Sequence, residues 1–289
     1  FTATYKFALL LALAQVSIED GDDSGAELRV GTVRLAEQFV RLYWRQVAPY
    51  VPAGRTKGAR VLKQNTSRQA VVLNRLELEH RRYEGSLASL MRDRRAWKRV
   101  LGGVARTIEK YPLWRLQRVG GMPLCFLYGD SDAPHEISLF PGVAYCFRRF
   151  HPLIQDLVQG AWARFVRSVP ENHDLVGTAH ELGDFLFGSE RSPLAALQPI
   201  LRELQSGRCF YCNRAIRRSA EVDHFVPWSR YALDLGHNFV LADTECNARK
   251  RDTLAAYPHL ERWCSRNEER GSELTERLDE KGVLHDLDA

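Results

Sequence analysis

Apolar positions recur at helical spacing through most of the first two hundred residues of this 289-residue chain. Thr4–Val16 is apolar nearly all round and reads as a buried helix. Thr32–Val47 places Val33, Ala36, Phe39, Val40, Tyr43 and Val47 on one face, with Thr32 as N-cap and Pro49 and Pro52 as stops. Ser67–Tyr83 reads as a helix with Ala70, Val71, Leu73, Leu76 and Leu78 inward. Ser86–Ile108 reads as one or two more, broken at Gly102-Gly103. Pro123–Tyr128 and Ile137–Phe140 read as short strands. Pro141, in a first helical position, then opens one long helix over Gly142–Val169. A loop-rich connection follows, and Pro193–Gln205 reads as a helix stopped at Gly207.

Beyond Gly207 the pattern changes. A short strand signal ends at Asp223-His224 and runs into a proline-containing loop. Asn238–Leu241 is a second strand signal, and Thr244–Ala255 a helix. The chain is therefore expected to be α+β and predominantly helical. A mostly helical domain with a short β-hairpin is expected over residues 1–190. A strand-strand-helix unit with a helical C-terminal extension is expected over 191–289.

Composition fits a folded protein of about two domains, with 45% hydrophobic and 27% charged residues. No apolar run approaches the roughly 18 residues of a membrane span. The longest, Phe7–Ala14, has a signal-peptide flavour beside Lys6, but a buried helix is the reading adopted. The net charge of +5 hides an uneven distribution. Residues 51–118 hold 17 Lys and Arg against 5 Asp and Glu, whereas the flanking segments are mildly acidic. Such a block points to a polyanion, most often nucleic acid, with a solvated helix face as the plain alternative. Arg94, Arg95, Lys98 and Arg99 are its densest part. Trp97 and Trp114 interleave with these charges and are read as core.

Six cysteines are too sparse for a disulfide framework, but Cys209 and Cys212 form a C-x-x-C. The strand-strand-helix order brings Asp223 and His224 close to Asn247. A carboxylate and an amide oxygen are hard ligands that suit Mg²⁺. An adjacent histidine can take a proton from water near neutral pH. These are the components of phosphodiester hydrolysis.

The combination of C-x-x-C, V-D-H-x-x-P-x-S (Val222–Ser229), N-x-V-L and C-N-x-x-K resembles the HNH, or ββα-metal, nuclease family over roughly residues 200–256. The resemblance implies that His224 is the general base. It implies that Asp223 and Asn247 bind a catalytic Mg²⁺ or Mn²⁺, and that Asn238 holds the loop that aims His224. Lys250 matches the family's trailing lysine and would contact phosphate, assisted by Arg249 and Arg251. Spacings of fifteen positions from Asp223 to Asn238 and twenty-four to Asn247 look like the Asp-His subgroup, similar to the HNH domain of RNA-guided CRISPR nucleases.

Cys209, Cys212 and Cys246 suit a structural Zn²⁺. Asp243 stands where many family members have a fourth cysteine, so a Cys₃Asp site is one reading. His237, His259 or Cys264 as fourth ligand, or no zinc at all, are the others. Unpaired cysteines beside a zinc-type site fit a reducing, cytoplasmic setting. The expected function is a DNA endonuclease of restriction or defence type. The alternatives are a nucleic-acid-binding module with an idle HNH unit and a toxin-like or RNA-directed nuclease. Cutting both strands with one HNH unit per chain calls for a homodimer, whereas nicking needs only a monomer.

Overall fold

The computed structural model describes residues 2–51, 59–130, 134–176, 179–188, 194–217, 219–227, 235–281, 283 and 285. Ser229 of the motif, Pro193 and part of the basic block lie outside the described residues. The chain forms two compact units, Phe1–Gly188 and Ser189–Ala289.

The first unit is built on α1 (Tyr5–Asp20), which is buried along most of its length as its all-round apolarity requires. Strand β1 (Leu28–Gly31) leads into α2 (Thr32–Trp44). Thr32 is not the cap; Gly31 is, and the Thr32 hydroxyl donates to Glu109 Oε1 at 2.6 Å. Helix α3 (Val71–Arg82) buries Val72, Leu73 and Leu76. Val71 and Leu78, expected inward, face solvent, with Leu78 69% exposed, because the helix packs on only one narrow stripe. Helices α4 (Leu87–Arg92) and α5 (Arg94–Lys110) follow.

The expected break at Gly102-Gly103 does not occur. The chain breaks instead at Asp93, whose Oδ1 caps α5 by accepting from Ala96 N at 2.9 Å. Gly103 lies against the guanidinium of Arg75, where a Cβ would collide.

Helix α6 (Pro112–Leu116) leaves Trp114 exposed, contrary to the core reading. It leads to a hairpin of β2 (Arg118–Val119) and β3 (Met122–Pro123). Strands β4 (Tyr128–Asp130) and β5 (Glu136–Leu139) join β1 in an antiparallel sheet of order β1-β5-β4. The expected long helix is two, α7 (Val143–Arg149) and α8 (His151–Ser168). Pro141 is not at its start, since Gly142 in a left-handed conformation is the cap. Pro152 lacks an N–H for the preceding turn, and the chain bends at Phe150. Helix α9 (Ala179–Phe187) closes this unit.

The second unit opens with α10 (Leu194–Leu204). Strands β6 (Ala220–His224) and β7 (Phe239–Asp243) pair antiparallel, with Asp223 opposite Val240 and His224 opposite Phe239. Helix α11 (Thr244–Lys250) ends five residues earlier than expected, where Arg251 takes a positive φ. Helix α12 (Tyr257–Glu280) forms the C-terminal extension.

Strand β7 is buried on both faces. Phe239 and Leu241 join Leu201, Leu204, Leu274 and Leu278 on one side, and Val240 joins Phe210 and Phe225 on the other. Helix α12 also ties down the backbone. Arg266 donates to the carbonyls of Phe239 (2.7 Å) and His237 (2.5 Å), Arg262 to Phe210 O, and Trp263 stacks on Phe225. Burial among these carbonyls pushes the Arg266 guanidinium down to about 10. Among the described residues no helix is long and apolar enough to cross a membrane.

Candidate active site and thiol cluster

The segment after α10 is anchored before any chemistry is reached. Gln205 pairs with both the N–H and the C=O of Leu241, at 2.7 and 2.8 Å. Phe210 N donates to Leu241 O at 2.9 Å. The C-x-x-C turn is thereby fastened to β7. Asn213, just beyond it, adopts a positive φ of 58°, a conformation asparagine tolerates better than most residues.

In that turn Cys209 is buried and Cys212 exposed, and Cys246 comes from the first turn of α11. One sulfur from each lies within 4.8 Å of the others. The backbone N–H of Arg214 holds the Cys212 thiol below its ordinary value. Burial and the neighbouring sulfurs push Cys246 up to about 12. Three thiolates so close together repel one another, and a bound dication removes that penalty. Three soft donors converging on one point therefore fit a zinc-type ion.

Asp243 is not the fourth member of this cluster. Its Oδ1 caps α11 by accepting from Glu245 N at 3.0 Å, while its own N–H donates to Cys209 Sγ at 3.3 Å. The helix cap engages one oxygen of the carboxylate that the family resemblance offered as a fourth ligand. His237, His259 and Cys264 lie outside the group as well. His259 packs edge-on against Tyr211, with ring centroids 5.5 Å apart, and its buried Nδ1 has no hydrogen-bond partner among the described residues.

Asp223 and His224 sit at the end of β6, and strand alternation points them to opposite faces. The His224 ring packs against Phe239 at 4.9 Å. Asn238 is buried and grips the residue two beyond His224. Its Oδ1 accepts from Val226 N at 2.8 Å and its Nδ2 donates to Val226 O at 2.9 Å. Asp223 Oδ2 accepts from the Tyr211 hydroxyl at 2.5 Å and pairs with Lys250 Nζ at 3.0 Å. Burial, then the adjacent Asp223 carboxylate, pushes the Tyr211 phenol far above its ordinary value, so it remains a donor.

Lys250 is expected to reach phosphate, but its side chain is only 6% exposed. Its ammonium also donates to the His224 carbonyl at 2.7 Å. Asp223 and the end of β6 have captured it. Arg249 and Arg251, by contrast, are exposed. Asn247 Nδ2 donates to Glu221 Oε2 at 2.6 Å. An amide whose nitrogen is so engaged turns its oxygen the other way.

Tyr211 and Glu221 are the residues that sequence reasoning missed. Glu221 had a readable signal, because it lies two positions before Asp223 on a strand and so shares its face. Tyr211 had only its place inside C-x-x-C.

In the first unit Arg94, Arg95, Lys98 and Arg99 are exposed on α5. Arg99 pairs with Glu79 at 3.2 Å, and the other three have no ion-pair partner among the described residues.

Residues 206–256 match the family model of the HNH endonucleases. This segment, running from the end of α10 through α11, is an HNH endonuclease domain, and a nucleic acid is its implied partner. The match covers less than a fifth of the chain and lies wholly within the second unit. Neither a curated protein nor a solved structure matches the chain.

Proposed function

We propose that the protein is a DNA endonuclease of restriction or defence type, acting in the cytoplasm, whose second unit is a ββα-metal hydrolase of the Asp-His subgroup. The observation that carries this reading is the meeting of β6 and α11. Asp223 and His224 end one, Asn247 lies on the other, and both fall within the segment matched to the HNH endonucleases.

The carboxylate of Asp223 and the amide oxygen of Asn247 are hard donors that fit Mg²⁺ or Mn²⁺. When bound, such an ion stabilises the charge that builds on the phosphate and on the leaving oxygen. His224 accepts a proton from water as the water oxygen attacks phosphorus. A new P–O bond forms, the bond to the leaving sugar oxygen breaks, and that oxygen takes up a proton. Asn238, through Val226, fixes the backbone just past His224, so the imidazole need not be ordered at the moment of reaction. Lys250 contributes by holding Asp223 and the His224 carbonyl, not by meeting phosphate directly. Cys209, Cys212 and Cys246 would hold a structural Zn²⁺, whose binding would tie the C-x-x-C turn to α11.

DNA gripping is assigned to the first unit, with Arg249 and Arg251 assisting next to the cut. Arg94 and Arg95 stand in the first turn of α5, where the helix dipole disfavours cations. Bound phosphate would remove that penalty.

The test is cleavage of plasmid DNA with Mg²⁺ or Mn²⁺, comparing the parent with His224→Ala. General-base catalysis contributes about 10²–10⁴ in rate, so a loss of that size is expected. Cleavage that survives the substitution sinks the mechanism. Absence of cleavage by the parent on plain or base-modified DNA, with either ion, favours a binding module.

A further inference from the structure

We propose that Tyr211 is a positioning residue for the catalytic carboxylate, and that through it the thiol cluster sets how tightly the catalytic cation binds. The inference rests on the nuclease reading above.

Tyr211 lies between two cluster cysteines, in the turn Cys209-Phe210-Tyr211-Cys212. Its hydroxyl donates to Asp223 Oδ2 at 2.5 Å, and Lys250 Nζ approaches the same oxygen at 3.0 Å. Two donors on Oδ2 orient the carboxyl group and leave Oδ1 to serve a cation. Second-shell donors of this kind preset a ligand's direction, so less entropy is lost when the ion arrives.

The same two chain segments contribute to both centres. The C-x-x-C turn carries Cys209, Tyr211 and Cys212. Helix α11 carries Cys246, Asn247 and Lys250, with Cys246 and Asn247 adjacent in sequence. An ion held by the three sulfurs clamps the turn to the helix. That clamp also sets the position of the Tyr211 hydroxyl relative to Asp223.

The Cys209 side of the turn is already held by Phe210 N on Leu241 O and by Asp243 N on Cys209 Sγ. The Cys212 side is exposed. The clamp therefore acts mainly on the half of the turn that carries Tyr211 and Cys212.

Tyr211→Phe keeps the ring, with its edge contacts to Phe210 and His259, and removes only the hydroxyl. The experiment uses the full chain loaded with zinc and measures Mn²⁺ binding by the electron paramagnetic resonance of free Mn²⁺. The Mn²⁺ dissociation constant should rise about tenfold in Tyr211→Phe, the low end of the effect of losing such a donor, with zinc content unchanged. The Mn²⁺ concentration for half-maximal cleavage should rise in parallel, with KM for DNA unaltered.

Partial removal of zinc, in samples whose circular dichroism is retained, should weaken Mn²⁺ binding in the parent and change it little in Tyr211→Phe. That non-additivity identifies Tyr211 as the link. If Tyr211→Phe binds Mn²⁺ as tightly as the parent, the positioning role is overturned. If zinc removal weakens Mn²⁺ binding equally in both proteins, the coupling through Tyr211 is overturned. Failure of the nuclease reading is separate, because it would show as cleavage surviving His224→Ala, whereas Mn²⁺ affinity is read without turnover.

Discussion

On α5 the cations Arg94, Arg95 and Lys98 stand in solvent, and Arg99 shares Glu79 across 3.2 Å. Around Asp223, Tyr211 and Lys250 both lie within 3.0 Å of one carboxylate oxygen, and Lys250 also serves the His224 carbonyl. Water screens the first arrangement, so its pairs contribute little to stability and each can be changed without disturbing the fold. The second is taken out of water, so removing one member leaves a charge without its counterpart. The difference separates a surface that attracts a partner from a site that must be built before it can work.

The first way to break this contrast is at the thiol cluster. Cys246→Ala should abolish zinc retention and lower the melting temperature of the second unit while leaving it folded, since α10, β7 and α12 keep an apolar core of their own. Metal analysis and a thermal melt check it; parental zinc content would remove the cluster from the built part of the molecule. The same ion should bind more weakly as pH falls. Cys246, pushed up to about 12, must lose a proton to bind, and more protons compete with the metal at lower pH. Zinc affinity measured across pH 6–8 should rise monotonically.

Next in size is Lys250→Met, which keeps the stem and strands the largely buried Asp223 carboxylate. A cost of about 3 kcal/mol is expected in urea unfolding of the full chain. A change below roughly 0.5 kcal/mol would place this pair with the surface pairs of α5.

Reversing Arg94, Arg95 and Arg99 to glutamate should barely move stability. Duplex affinity should fall, and the slope of log K against log salt should flatten by about 3. Unchanged binding would make this face a solvated helix surface. The smallest effect separates capping from ligation. Asp243→Ala should cost about 1 kcal/mol as a lost N-cap and leave zinc content as it was. Loss of zinc would restore Asp243 as a ligand.

Helix identities were largely legible because amphipathic spacing is a local signal. Their ends were less so. Gly102-Gly103 reads as a break from backbone entropy alone, yet α5 runs through it and the chain turns at Asp93. The bend at Phe150 had a visible cause in Pro152, whereas the sheet formed by β1, β4 and β5 depends on partners more than a hundred residues apart. In the site, Asp223, His224, Asn238 and Asn247 stood out by residue type and spacing. The engagements of Tyr211, Glu221, Lys250 and Asp243 did not.

By itself the sequence determined which atoms are available for chemistry. Hard oxygens and an imidazole fall at the end of one strand and the start of a helix, and three sulfurs fall around them. That information is carried by side-chain identity and by the fixed repeat of strands and helices. Only the tertiary structure decided how those atoms are used. Once the C-x-x-C turn, β6 and α11 are packed together, buried polar atoms compete for partners. In that competition Tyr211 and Lys250 went to Asp223, Glu221 went to Asn247, and the Asp243 carboxylate went to the end of a helix.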